Sequence, residues 1–156
     1  MEHVIAAVDG VDVTMRAQED YSAYMARVAA DVRREIRALR EPEQLYAVAI
    51  AANDRMRRPP PTEQGHLQDV SLGWETLAAS LDALGEMRTQ EAARVLVRLL
   101  GDRRFTWDGE GALNIAHALI RCGSAALPCL DAVRDQHRKL LANLVRKCIR
   151  AGRDVP

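Results

Sequence analysis

Four side chains able to ligate a metal, His117, Cys122, Cys129 and His137, fall within 21 residues of one another. Structural zinc sites use close ligand pairs such as Cys-x2-Cys. No such pair occurs here, so no metal is assigned and the thiols read as half-buried apolar groups. The segment Phe105-Thr106-Trp107-Asp108-Gly109-Glu110 is the other concentration of chemistry, placing two aromatic rings and two carboxylates in one short stretch. Carboxylates beside aromatics can perform acid/base work or hold a flipped base. The packing alternative has Phe105 and Trp107 sealing a gap between helices while Asp108 caps the next helix. No further acid or aromatic constellation completes a site, so no catalytic residue is assigned. Neither Gly-x-Gly-x-x-Gly nor Gly-x4-Gly-Lys-Ser/Thr is present, which removes the familiar phosphate cradles and leaves no cofactor to expect.

Charge is the remaining resource. The 22 Lys plus Arg and 22 Asp plus Glu cancel, arguing against a surface built wholly for nucleic acid or anionic lipid. Locally the balance is polarised. Arg134, Arg138, Lys139, Arg146, Lys147, Arg150 and Arg153 face only Asp135, whereas Glu63, Asp69, Glu75, Asp82, Glu86 and Glu91 face only Arg88 between 59 and 93. The basic stretch can contact phosphates. It can equally be the solvated face of a terminal helix whose cations complement the dipole.

The elements positioning these groups read as helices. Aromatic residues are 4% of the 156-residue chain and Ala, Leu, Val and Arg dominate, so an all-α fold of six or seven helices is expected. Residues 1–14 stay unassigned. From Met15, apolar positions at three- and four-residue spacing predict one helix over 15–40, stopped by Glu41-Pro42. A second runs over 43–55 with Leu45, Ala49, Ile50 and Ala52 inside. The Pro-rich connector 56–65 follows. Helices are then expected over 66–85, closed by Gly85; over 89–101 behind the N-cap Thr89, closed by Gly101; and over 110–122, stopped by Gly123. Ser124 is expected to cap a further helix over 124–136. A last helix follows over 137–151, with Leu140, Leu141, Leu144, Val145 and Cys148 on its inner face.

The stops Ala83-Leu84-Gly85, Arg121-Cys122-Gly123 and Arg150-Ala151-Gly152 recur at separations of 38 and 29 residues. After the first two come Ala-containing helix starts, Glu91-Ala92-Ala93 and Ala125-Ala126-Leu127-Pro128, each leading into a Leu-rich second helix. This pattern resembles the HEAT-like repeats of the α/α superhelix class over about residues 66–152, more loosely over 38–54. The length of 156 residues suits one domain spanning 1–156, and the resemblance implies a short right-handed superhelix of stacked hairpins and a style of surface with no shared catalytic residues.

The expectation drawn from these readings is a non-enzymatic module that binds another protein through its second-helix face, at Gln90, Arg94, Arg98 and Asp131. The alternative is nucleic-acid binding by Arg134, Arg138, Lys139, Arg146, Lys147 and Arg150; an enzyme at the Trp107 loop ranks third. The three cysteines form no disulfide framework. The N-terminus has no basic region leading into an apolar core, and no apolar run approaches the ~18 residues of a membrane span, so a reducing cytoplasmic setting without membrane contact is expected.

Overall fold

The computed structural model describes residues 11, 12, 14–57, 63–102 and 109–152, of which 57, 63–71, 109 and 110 are described by their backbone. Among these residues the chain is all helical, with six α-helices, one 3-10 segment and no strand. Two compact units divide between Ser80 and Leu81.

In the first unit, α1 spans Tyr21–Arg37 and buries Tyr24, Val28, Val32 and Ile36, one residue per turn. It starts six residues later than the periodicity from Met15 suggested. The reason is local: the Asp20 carboxylate accepts from the Ala23 N–H at 2.7 Å, satisfying an amide that a longer helix would have bonded internally. α2, Pro42–Arg57, opens on Pro42, where the missing amide proton costs nothing. Its inner face is Leu45, Val48, Ala49, Ala52 and Asn53. Ile50 lies more than a quarter-turn away from that stripe and is only half-buried, correcting its expected place in the core. α3, Glu63–Met87, contributes Leu72, Thr76, Leu77, Ala79 and Ser80 to this unit's buried residues. Ala78, between the buried Leu77 and Ala79, is exposed.

The second unit holds the end of α3, then α4 (Gln90–Gly101), α5 (Gly109–Cys122), a 3-10 segment (Gly123–Ala132) and α6 (Gln136–Ala151). α4 packs on α5 and on the 3-10 segment, and α6 packs on the same two elements. Leu81, Leu84, Leu96, Leu99, Leu100, Ile115, Leu119 and Leu130 form the core between them, all nearly or fully buried. Thr89 caps α4 as expected, accepting from the Ala92 N–H at 3.2 Å. Asp135 caps α6 by accepting from the Arg138 N–H at 3.1 Å.

Several expected details change. Gly85 does not stop α3, which continues to Met87; the left-handed residue there is Arg88, with φ 53°. Gly85 is instead a contact point, because a Cβ built on it would lie 3.0 Å from the Ala118 carbonyl oxygen of α5. Gly123 and Gly152 do adopt left-handed φ, 68° and 63°. The stretch expected as an α-helix capped by Ser124 is a 3-10 segment already begun at Gly123, with no side-chain cap. Pro128 lies inside it and cannot supply the amide that α-helical bonding would direct at the Ser124 carbonyl. On α6 the buried face is Ala142, Val145 and Cys148, while Leu140 is 73% and Leu144 41% exposed. The expected inner face was therefore wrong in phase for those two leucines. Gly111–Ala132 is long and apolar enough by composition to cross a membrane, unlike the expectation that no run reaches that length. The left-handed turn at Gly123 interrupts it, and Ile115, Leu119, Ala126 and Leu130 along it are buried in the core. The middle of the Pro-rich connector and the residues Phe105, Trp107 and Asp108 lie outside the described residues.

Candidate functional site

Among the described residues, the thiols are committed to holding the fold together. Cys122, Cys129 and Cys148 are free, buried thiols. The Cys122 thiol donates to the Leu84 carbonyl at 3.5 Å, one of the last-turn carbonyls of α3 that has no partner within its helix. Burial pushes its pKa up to about 11, so the thiolate that a nucleophile or metal ligand requires is nearly absent at neutral pH. Burial also raises the Cys129 thiol. That thiol lies 3.8 Å from the Gln90 carbonyl and 3.9 Å from the Ala125 carbonyl. The latter is the oxygen that Pro128, lacking an N–H, cannot serve in 3-10 geometry. His117 is half-buried and His137 exposed, and no group of three metal-capable side chains gathers among the described residues.

The perturbed carboxylates have structural causes. Asp135 is held below the usual carboxylate range mainly by the Arg138 backbone N–H it caps. Glu19 is pushed down to about 2, first by the Arg27 side chain and then by the Arg16 backbone N–H. Arg27 Nε meets Glu19 Oε1 at 2.7 Å, and its Nη atoms donate to the carbonyls of Asp12 at 2.8 Å and Thr14 at 2.7 Å. The guanidinium also lies over the Tyr24 ring, 5.8 Å from its centroid. One arginine of α1 thereby fastens the chain entering that helix, a role its sequence position did not reveal.

Three of the four residues expected to meet a partner lie on one side of α4. Gln90, Arg94 and Arg98 are exposed at four-residue spacing on α4, opposite the buried Ala92, Ala93, Leu96, Leu99 and Leu100. The 3-10 segment packs alongside α4 and presents Asp131 to solvent. Asp131 is engaged, however, accepting from Arg146 Nη2 of α6 at 2.7 Å. Arg146 also donates to Asn143 Oδ1 at 2.7 Å. The basic set is accordingly divided. Arg146 is tied down, Arg138 is partly buried, and Arg134, Lys139, Lys147 and Arg150 are exposed around α6 with Leu140 and Leu144 among them.

A cleft of about 450 Å³ opens where the C-terminal ends of α3, α5 and α6 converge. Arg88, Arg121 and Arg150 line it together with Ile120, Leu127 and Ile149. Arg121 is anchored by an ion pair of 2.7 Å to Asp82. Sequence reasoning assembled no such site, although Arg121 and Arg150 stand in two of the three recurring helix-stop triplets. In the sequence these triplets mark helix ends, and only the fold delivers their side chains to one place. Comparison with protein families, curated proteins and solved structures returns no match for this chain.

Proposed function

We propose that this chain is a non-enzymatic helical module that binds another protein through the face formed by α4 and the 3-10 segment, built as a short α/α superhelix. Support for the architecture comes from the second unit. There α3 meets α5 at Gly85, α4 lies on α5 and the 3-10 segment, and α6 closes against both. Each element contacts its near neighbours, the arrangement by which stacked hairpins share a continuous core.

The observation carrying the functional reading is the exposed row Gln90, Arg94 and Arg98, with Asp131 on the adjoining segment. Arginine is enriched at protein interfaces, where its planar fork pairs with carboxylates and its stem covers apolar surface. The nucleic-acid alternative is disfavoured by α6 itself. Leu140 and Leu144 project among its cations, and phosphate backbones reward an unbroken row of donors rather than exposed leucines. Affinity capture from the native host, with the wild-type chain and an Arg94→Glu/Arg98→Glu variant as parallel baits, tests the reading by mass spectrometry. A partner retained by the wild type and lost by the variant is expected, and its direct titration should repeat the difference. Equal titration of both baits by the identified partner would remove this face from the proposal. Binding to a nucleic-acid probe that weakens steeply with salt would restore the alternative.

A further inference from the structure

We infer that the cleft at the joined C-terminal ends of α3, α5 and α6 is a receptor for an acidic peptide segment, with Arg88 and Arg150 receiving its carboxylates and the apolar floor receiving an adjacent aliphatic side chain. The three helices end in the same way. Arg88, Gly123 and Gly152 follow or close their last turns, all with left-handed φ, and all three line the cleft. Glycine adopts this conformation without steric penalty, whereas a residue with a Cβ does so at a cost. Two of the three ends use glycine. At the third, the chain keeps an arginine in the strained conformation, and that arginine faces the cleft.

Electrostatics gives this choice a purpose. Each helix C-terminus carries roughly half a negative charge, so three converging ends would repel an anion. Arg121 spends its charge on Asp82, while Arg88 and Arg150 hold no carboxylate among the described residues. Those two guanidiniums turn a repulsive cleft into one that accepts carboxylates through bidentate bonds. Ile120, Leu127 and Ile149 leave the rest of the lining apolar, which suits a peptide with alternating acidic and aliphatic residues better than a free inorganic anion. The volume falls within the roughly 300–1,000 Å³ of ordinary ligand pockets.

The cleft includes Gly123 and Leu127 of the 3-10 segment but none of Gln90, Arg94, Arg98 and Asp131, so this inference and the proposed function can fail separately. The test titrates the isotope-labelled full chain with the acetylated, amidated peptide Glu-Leu-Glu-Leu and, in parallel, with Gln-Leu-Gln-Leu, following backbone amides by NMR. The acidic peptide is expected to shift the amide signals of Arg88, Gly123 and Gly152; the amide peptide is not. Arg88→Gly and Arg150→Gln should each weaken binding roughly tenfold, the loss of one charge-assisted pair. Because Arg88→Gly relieves the strained backbone, it keeps the fold while removing the ligand contact. Equal shifts from both peptides, shifts located elsewhere, or unchanged affinity in both variants would overturn the inference. Inorganic phosphate alone shifting the same signals as strongly as the peptide would overturn the peptide assignment, as would tighter binding of oligouridylate.

Discussion

The same substitution, Gly→Ala, should have opposite signs at two helical positions of this chain. Within a helix the exchange is ordinarily favourable by up to about 1 kcal/mol, because alanine has less backbone freedom to lose. At Gly101, the last residue of α4, an added Cβ meets nothing within 4 Å and the backbone is not left-handed, so much of that gain should be realised. At Gly85 the Cβ would stand 3.0 Å from the Ala118 carbonyl oxygen, 3.2 Å from Arg121 Cβ and 3.3 Å from Ala118 Cα. Carbon atoms rest best at about 3.5–4.0 Å, so α3 and α5 would have to separate by several tenths of an ångström. α5 has little room to retreat, since Ile115, Leu119 and Ala118 itself are fully buried. Overpacking of this kind costs about 1–3 kcal/mol, which outweighs the propensity gain and leaves Gly85→Ala roughly 1 kcal/mol less stable than wild type. Urea unfolding of the two variants beside the wild type measures the difference, and each kcal/mol should move Tm by about 2–4 °C in a chain of this size. If Gly85→Ala is stabilised as much as Gly101→Ala, the close approach of α3 and α5 is wrong.

Leu119→Ala should cost about 2–5 kcal/mol in the same assay because its side chain is fully buried, while Leu144→Ala, 41% exposed, should change stability much less. Thr76 carries a buried hydroxyl with no hydrogen-bond partner among the described residues, so Thr76→Val is expected to stabilise by about 1 kcal/mol; a loss would show that the hydroxyl is served. Glu19 titrates near 2 when folded, below its unfolded value of about 4.3. Its contribution is therefore complete above the unfolded value and disappears as pH falls through the folded one. Thermal unfolding between pH 5 and pH 2 should show a steeper acid decline for the wild type than for Glu19→Gln. With Cys122 pushed up to about 11 and Cys129 raised by burial, a thiol reagent should modify both slowly in the native chain and rapidly in denaturant. Rapid native labelling at either position would contradict their burial.

Much of the fold was legible because its signals are local. Apolar spacing along Tyr24, Val28, Val32 and Ile36 needs only the 3.6-residue period to imply a buried stripe, and Thr89 before a Leu-rich run needs only an orphan amide to imply a cap. Pro42 and Gly152 likewise act through their own backbone chemistry. Long-range packing settled what these signals left open. Gly85 and Gly123 hold the same place in the recurring triplets, yet one lies inside a helix against Ala118 and the other turns left-handed, because tertiary packing separates close approach from termination. The inner face of α6 depended on a rotation of the helix that leucine content could not specify, and the neighbours selected Ala142, Val145 and Cys148 over Leu140 and Leu144. The arginine cleft is furthest from sequence legibility. Arg88, Arg121 and Arg150 are separated by about thirty residues at each step, and only the convergence of three helix ends brings them together. Sequence alone determined the approximate place of the helical segments, though not the 3-10 form of Gly123–Ala132, since that choice rests mainly on neighbouring residues. Tertiary structure decided which side chains meet, since contact depends on the relative rotation and depth of helices that are distant in the chain.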